Sequence, residues 1–153
     1  MTKIEEIEQK LNECQKALAE LKESKKEGKW KPDFNEEYWF RNDEGTIVYC
    51  IYNGYVADTW RYNNTPLFIT EEECKRYWHF MDTVKEKGYE FSKEEWEDEE
   101  IDKFVLHYNY KTKEFGVISM WLNKYLGEIF FKTEEDAQYI IDNFKEELMT
   151  YWL

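Results

Sequence analysis

Ile4, Ile7, Leu11, Cys14, Leu18 and Leu21 recur at alternating spacings of three and four residues. This is the a/d seam of a coiled coil, sustained over nearly three heptads, with Glu, Lys and Gln filling most other positions. Thr2 followed by Glu5 has the form of a capping box and predicts the helix start. The run Ser24–Lys29, which contains Gly28, predicts its end. A stripe this narrow on about 20 residues cannot hold a helix alone in water, so it must pack on something. Either a second copy of the chain or the chain's own domain could cover it. The second copy is preferred, because in a parallel pair Lys3 faces Glu8 of the other chain across the g and e′ positions, while Lys10 meets neutral Gln15. The seam therefore predicts a homodimer.

After Lys29 the texture changes to aromatic strands. Tyr38-Trp39-Phe40 leads into Asn42-Asp43-Glu44-Gly45, a turn by composition, and then into Thr46–Tyr52, which is rich in β-formers. Asn53-Gly54 is a strong hairpin signal and predicts Tyr55–Trp60 as a returning strand. A polar loop, Arg61–Pro66, precedes Leu67-Phe68-Ile69, and Thr70-Glu71-Glu72-Glu73 opens a helix that runs to about Lys87, with Gly88 as its stop.

The second half repeats the plan. Strands are predicted over Phe104–Tyr110, Glu114–Trp121 and Gly127–Phe131, and a helix opens at Thr133-Glu134-Glu135-Asp136. Leu67-Phe68-Ile69-Thr70-Glu71-Glu72 lies over Phe130-Phe131-Lys132-Thr133-Glu134-Glu135, with Trp60 and Trp121 ahead of it in the two halves. Ala137, Ile140, Ile141, Phe144, Leu148 and Trp152 in the last helix fall at helical spacing, as do Cys74, Tyr77, Trp78 and Met81 in the earlier one, which makes both faces core. The expected fold class is α+β: an N-terminal coiled-coil helix (1–28), a first β-β-β-α unit (29–90), an acidic linker (91–102) and a second β-β-β-α unit (103–153).

Charge narrows the function. The 34 Asp+Glu against 21 Lys+Arg give a net charge of −13, a field that repels nucleic-acid backbones and anionic membranes and attracts basic protein surfaces. Direct nucleic-acid binding is disfavoured. No apolar run approaches the ~20 residues a membrane span needs, and the first residues carry no secretory h-region. Cys14, Cys50 and Cys74 are odd in number and show no C-x-x-C spacing, which fits reduced thiols in a cytoplasm rather than a zinc site or disulfide framework.

The negative charge concentrates in Ser92–Asp102. Glu94, Glu95, Glu97, Asp98, Glu99, Glu100 and Asp102 surround two apolar anchors, Trp96 and Ile101. Ser92 with Glu95 caps a start, but the anchors would sit roughly 140° apart on a continuous helix, so one short helical turn or two tied down by Trp96 is expected. The segment reads either as a solvated connector or as an anionic patch, centred on Trp96, offered to a Lys/Arg-rich groove.

Catalytic signals are weak. His79 and His107 have no recognisable nucleophile or ligand partner by spacing, and there is no glycine-rich phosphate loop and no H-E-x-x-H. The expectation is a protein without enzymatic activity, cofactor or metal.

At Trp30-Lys31-Pro32, Tyr38-Trp39, Gly45, Trp60 and Phe68-Ile69-Thr70-Glu71-Glu72 the chain resembles a class of small phage and prophage proteins of Firmicutes. That class has a W-x-P start, a YW or YY strand, a glycine turn, a central Trp and an F-x-T-x-E-E-A-like ending, often behind a short coiled-coil leader. The resemblance covers residues 2–86, with a fainter echo over 103–147. The chain departs from it where Asn64-Thr65-Pro66-Leu67 replaces a G-N pair and Cys74 an alanine. The resemblance implies a phage origin, and it supplies no catalytic residues. Size, charge and that origin together lead to the expectation of an acidic counter-defence protein. Such a protein would bind a basic host protein in the bacterial cytoplasm, for example a CRISPR nuclease, as an anti-CRISPR-like DNA mimic. A phage assembly or adaptor protein, and a small-molecule sequestering protein with an aromatic pocket, are the alternatives.

Overall fold

Glutamates, lysines and alanines around a repeating apolar seam favour helix from Lys3 onward, and α1 (Lys3–Glu27) is one helix of 25 residues. A computed structural model describes residues 3–27, 30–120 and 128–153, with the backbone alone for residues 20–27. The expected cap at Thr2, the stop at Gly28, the side chain of Leu21, Trp121 and Gly127 lie outside the described residues. α1 runs to Glu27, within the Ser24–Lys29 run in which its end is expected. After it come β1 (Glu37–Arg41), β2 (Ile47–Ile51), α2 (Val56–Asn64), α3 (Glu71–Lys87), α4 (Lys93–Glu97), β3 (Lys103–Asn109), β4 (Glu114–Met120), β5 (Phe130–Phe131), α5 (Glu134–Asn143) and α6 (Lys145–Tyr151). The fold is α+β, with six helices and two small antiparallel sheets among the described residues. The chain divides into two compact units, Met1–Cys74 and Lys75–Leu153, and the division falls inside α3.

In the first unit β1 and β2 form the expected hairpin, with Tyr38 opposite Cys50 and Phe40 opposite Val48. Its turn is tied by the Asn42 side-chain oxygen, which accepts from the amides of Glu44 (3.1 Å) and Thr46 (2.9 Å). Gly45 there takes φ +83°, a left-handed value that glycine adopts without steric cost. Tyr38 and Phe40 point to a core shared with Tyr52 and Leu67 and flanked by Trp30, Val48, Cys50 and Tyr62.

The expected returning strand Tyr55–Trp60 is not a strand; that stretch enters α2. Asn53-Gly54 does turn the chain, with Gly54 at φ +72°, but the turn opens a helix. The reason is Asp58, whose carboxylate accepts from the amides of Asn53 (3.0 Å) and Tyr55 (3.3 Å) and so satisfies donors at the helix start. Downstream, Phe68 makes a single bridge to β1: Trp39 N–H donates to Phe68 O at 2.8 Å and Phe68 N–H donates to Trp39 O at 2.9 Å.

In the second unit β3 is central, in the order β4-β3-β5, with Val105 opposite Ile118 and Phe104 opposite Phe131. Phe104 and Leu106 on one face pack against a core of Phe80, Val84, Phe131, Ala137, Ile140, Phe144 and Leu148. Val105 on the other face joins Phe91 and Phe130, with Trp96, Ile101 and Met120 around them. The single C-terminal helix expected from Thr133 to Trp152 is two helices, α5 and α6. Phe144 leaves helical geometry (φ −132°, ψ 32°) and turns its buried ring toward His79 and Phe80, with centroids at 5.4 and 5.5 Å.

Both sheets place the first strand of the hairpin between its partner strand and a short segment that precedes a threonine-capped helix. Thr70 Oγ1 accepts from Glu73 N–H at 3.2 Å, and Thr133 Oγ1 accepts from Asp136 N–H at 3.1 Å. Cys74 and Ala137, four residues after each threonine, are both fully buried. α2 interrupts the parallel.

Candidate partner-binding surface

The acidic segment is built on a capped turn. Ser92 Oγ accepts from Glu95 N–H (3.2 Å) and the Glu95 carboxylate accepts from Ser92 N–H (2.8 Å), the reciprocal pair of a capping box. Tyr89 Oη donates to the same carboxylate at 3.1 Å. The bond from Ser92 N–H holds the Glu95 carboxyl below its ordinary pKa; slight burial opposes this, and the Tyr89 bond adds to it. α4 ends at Glu97, and Asp98 turns the chain at φ −86°, ψ 108°. That turn lets Trp96 and Ile101 enter one cluster, although a continuous helix would separate them. Trp96 lies edge-on to Phe130 at 4.9 Å and to Phe91 at 5.7 Å.

Lys103 completes the structure, and sequence reasoning missed it. Although it opens β3, its side chain is fully buried. The ammonium donates to the carbonyl oxygens of Ile101 (2.8 Å) and Asp98 (3.0 Å) and sits 5.5 Å from the Trp96 ring centroid and 5.8 Å from that of Phe91. A buried cation is tolerated only with such partners. The signal was present as a lysine directly behind an acidic run and between aromatic anchors, but its role depends on the fold.

Of the residues expected to face a partner, Glu94, Glu97, Asp98, Glu99, Glu100 and Asp102 are exposed, whereas Glu95 and Trp96 are half-buried and hold the segment together. Lys93 approaches Glu97 at 3.7 Å, an exposed pair of little weight. Among the described residues, Glu94, Glu99, Glu100 and Asp102 have no cationic partner. Their carboxylates project from a backbone that is pinned at both ends.

The α1 seam is a second surface. Ile4, Ile7, Leu11 and Leu18 are between 54% and 69% exposed, and Cys14 is exposed too.

His79 lies in α3 and His107 in β3. His79 rests against Phe144, and the ring of His107 lies over Gly116, where an added Cβ would come within 2.7 Å of it. Neither imidazole has a hydrogen-bond partner among the described residues, and no group of three metal-ligating side chains occurs among them. No helix among the described residues is long and apolar enough to cross a membrane.

No protein-family model, curated protein or solved structure matches this chain.

Proposed function

We propose that this is a non-catalytic binding protein whose residues 94–102 engage a Lys/Arg-rich groove on another protein. The observation that carries the reading is the exposed carboxylate row on a backbone fixed by Lys103, Trp96 and the Ser92–Glu95 box. Anions held in place before binding lose little conformational entropy on docking, and a net charge of −13 speeds encounter with a basic surface. The resemblance to phage proteins favours a host defence protein as partner, such as a CRISPR nuclease whose nucleic-acid channel the row would occupy, in the cytoplasm of a bacterial cell. Affinity capture from bacterial lysate at low and high salt tests this, with wild type beside a variant carrying lysine at Glu97, Asp98, Glu99 and Glu100. Capture of a basic protein that falls with salt and with charge reversal is expected. Capture unchanged by the reversal ends the proposal.

The exposure of Ile4, Ile7, Leu11, Cys14 and Leu18 supports homodimerisation through these residues and Leu21, and with it the alternative of an adaptor that joins two partners. The shared strand order and threonine caps favour a tandem of two related β-β-β-α units, the third strand of the first being reduced to the Phe68 bridge and α2 inserted before it.

A further inference from the structure

The hairpin of the first unit has one protected edge and one bare one. In an antiparallel pair, residues alternate between bonding the partner strand and facing away from it. Tyr52 N–H donates to Glu36 O (2.9 Å) and Asn42 N–H donates to Thr46 O (2.9 Å), so the even-numbered residues of the two strands face each other. The odd-numbered ones face outward, and on β1 that side is taken by Phe68 through Trp39. On β2 the outward groups belong to Ile47, Tyr49 and Ile51. Asn53 Nδ2 bonds the Ile51 carbonyl at 3.2 Å. Among the described residues the N–H groups of all three, and the carbonyls of Ile47 and Tyr49, have no partner.

Natural edge strands are commonly guarded by charge, proline or a bulge. The β2 sequence Ile47-Val48-Tyr49-Cys50-Ile51 has none of these and pairs in register throughout. The outer face beside this edge is apolar: Tyr49 and Ile51 are exposed, Ile47 and Trp39 are half-buried, and the Trp39 and Tyr49 rings lie 5.3 Å apart. Around it the charge is negative. Residues 33–53 carry the carboxylates Asp33, Glu36, Glu37, Asp43 and Glu44 against the single cation Arg41.

We propose that the open edge of β2 captures an extended, basic segment of a partner protein by strand addition. Its backbone would pair with Ile47 and Tyr49, its alternate apolar side chains would lie on Trp39 and Tyr49, and its flanking Lys or Arg residues would answer the surrounding carboxylates. The surface is distinct from residues 94–102, and neither proposal requires the other.

The test is selection of a displayed library of random linear dodecapeptides on the full-length protein, followed by amide hydrogen exchange with a selected peptide. Alternating apolar peptides flanked by Lys or Arg are expected, with protection of the Ile47 and Tyr49 amides. Affinity should fall at least tenfold in Tyr49→Pro, which removes an outward N–H and leaves the β1–β2 ladder intact. The same loss is expected in Tyr49→Lys, a change at an exposed side chain that guards the fold against a proline effect. Lysine at Glu97, Asp98, Glu99 and Glu100 should leave peptide binding unchanged. Selection of no peptide, or of peptides indifferent to both Tyr49 variants, overturns the proposal. So does protection of Ile47 and Tyr49 that rises with protein concentration alone, which would assign the edge to a second copy.

Discussion

The hydroxyl of Tyr38 donates to the carboxylate of Asp58 across 2.7 Å, joining the first strand of the hairpin to the helix that follows it. The same carboxylate accepts from two turn amides and lies 3.4 Å from Arg61, whose guanidinium also donates to the Tyr38 oxygen at 3.0 Å and covers the Phe40 ring at 4.8 Å. One buried acid thus serves strand, turn and helix together. Asp58→Ala should destabilise the fold by about 2–3 kcal/mol, because it strands several donors, and Tyr38→Phe by about 1–2 kcal/mol. Urea unfolding followed by tryptophan fluorescence measures both, and a loss in Asp58→Ala no larger than in Tyr38→Phe would contradict the shared role.

The pair also sets a pH window. Burial tends to raise the Asp58 pKa, but the bonds from Tyr38, Asn53 and Tyr55, helped by Arg61, outweigh it and hold the carboxyl below its ordinary value. Burial, then the bond to Asp58, pushes the Tyr38 hydroxyl up to about 12. For Asp58 the unfolded chain binds the extra proton in acid, so its contribution is complete above its unfolded pKa and is lost as pH falls through the lower, folded one. For Tyr38 the folded state keeps its proton longer, so stability is lost as pH rises from about 10, the unfolded value, toward about 12. Thermal melts across pH should show both declines, with the alkaline one reduced in Tyr38→Phe.

Lys103→Met keeps most of the apolar stem and removes the ammonium. The Ile101 carbonyl loses its donor and the Asp98 carbonyl keeps only the longer bond from Ile101 N–H at 3.4 Å, at a cost of about 1–3 kcal/mol. The larger effect should be local: faster amide exchange over residues 96–102, with the β3–β4 ladder still protected. Uniform acceleration across the second unit would mean that the lysine supports the fold and not the acidic segment in particular.

The three thiols should separate by reactivity. Cys14 is exposed, whereas Cys74 is buried and its thiol is pushed up to about 11, by burial first, with Arg41 opposing and Glu71 adding to the rise. A thiol reagent under native conditions should modify Cys14 and spare Cys74. In a parallel dimer Cys14, at a d position, meets Cys14 of the second copy, so mild oxidation should yield a crosslinked dimer that Leu11→Asp suppresses. Sedimentation as a monomer both with and without residues 1–28 would exclude the dimer.

Gly88 is held by space rather than by an unusual backbone angle. A Cβ there would come within 2.9 Å of Ile129 Cγ2 and 3.0 Å of the Val84 carbonyl. Gly88→Ala should therefore destabilise the second unit by about 1–3 kcal/mol, read by denaturant unfolding. A neutral result would mean that Ile129 can move aside.

The second-unit hairpin was legible almost to the residue, because β-formers run on either side of a polar turn and the pairing is local. α2 was not. Asn53-Gly54 is a hairpin signal on its own, and Asp58 overrides it only because Tyr38, 20 residues earlier, arrives beside it. The break at Phe144 was hidden for another reason: its ring joins Ala137, Ile140 and Leu148 in the core as the periodicity predicts, so the apolar spacing runs unchanged through a backbone that leaves helical geometry. In the acidic segment the capping box and the Trp96 anchor could be read locally, while Lys103 could not, since a lysine at a strand start ordinarily faces water.

The bare edge of β2 has a colloidal consequence. A five-residue apolar strand with free amides is a template for any like strand, and identical edges on neighbouring molecules are kept apart chiefly by mutual repulsion at a net charge of −13. That repulsion vanishes near the isoelectric point, about pH 4.7, which lies above the range in which the Asp58 contribution to the hairpin is lost. Acidification should thus drive ordered intermolecular β-pairing before unfolding, and a single charge placed at Tyr49 should hold the solution clear.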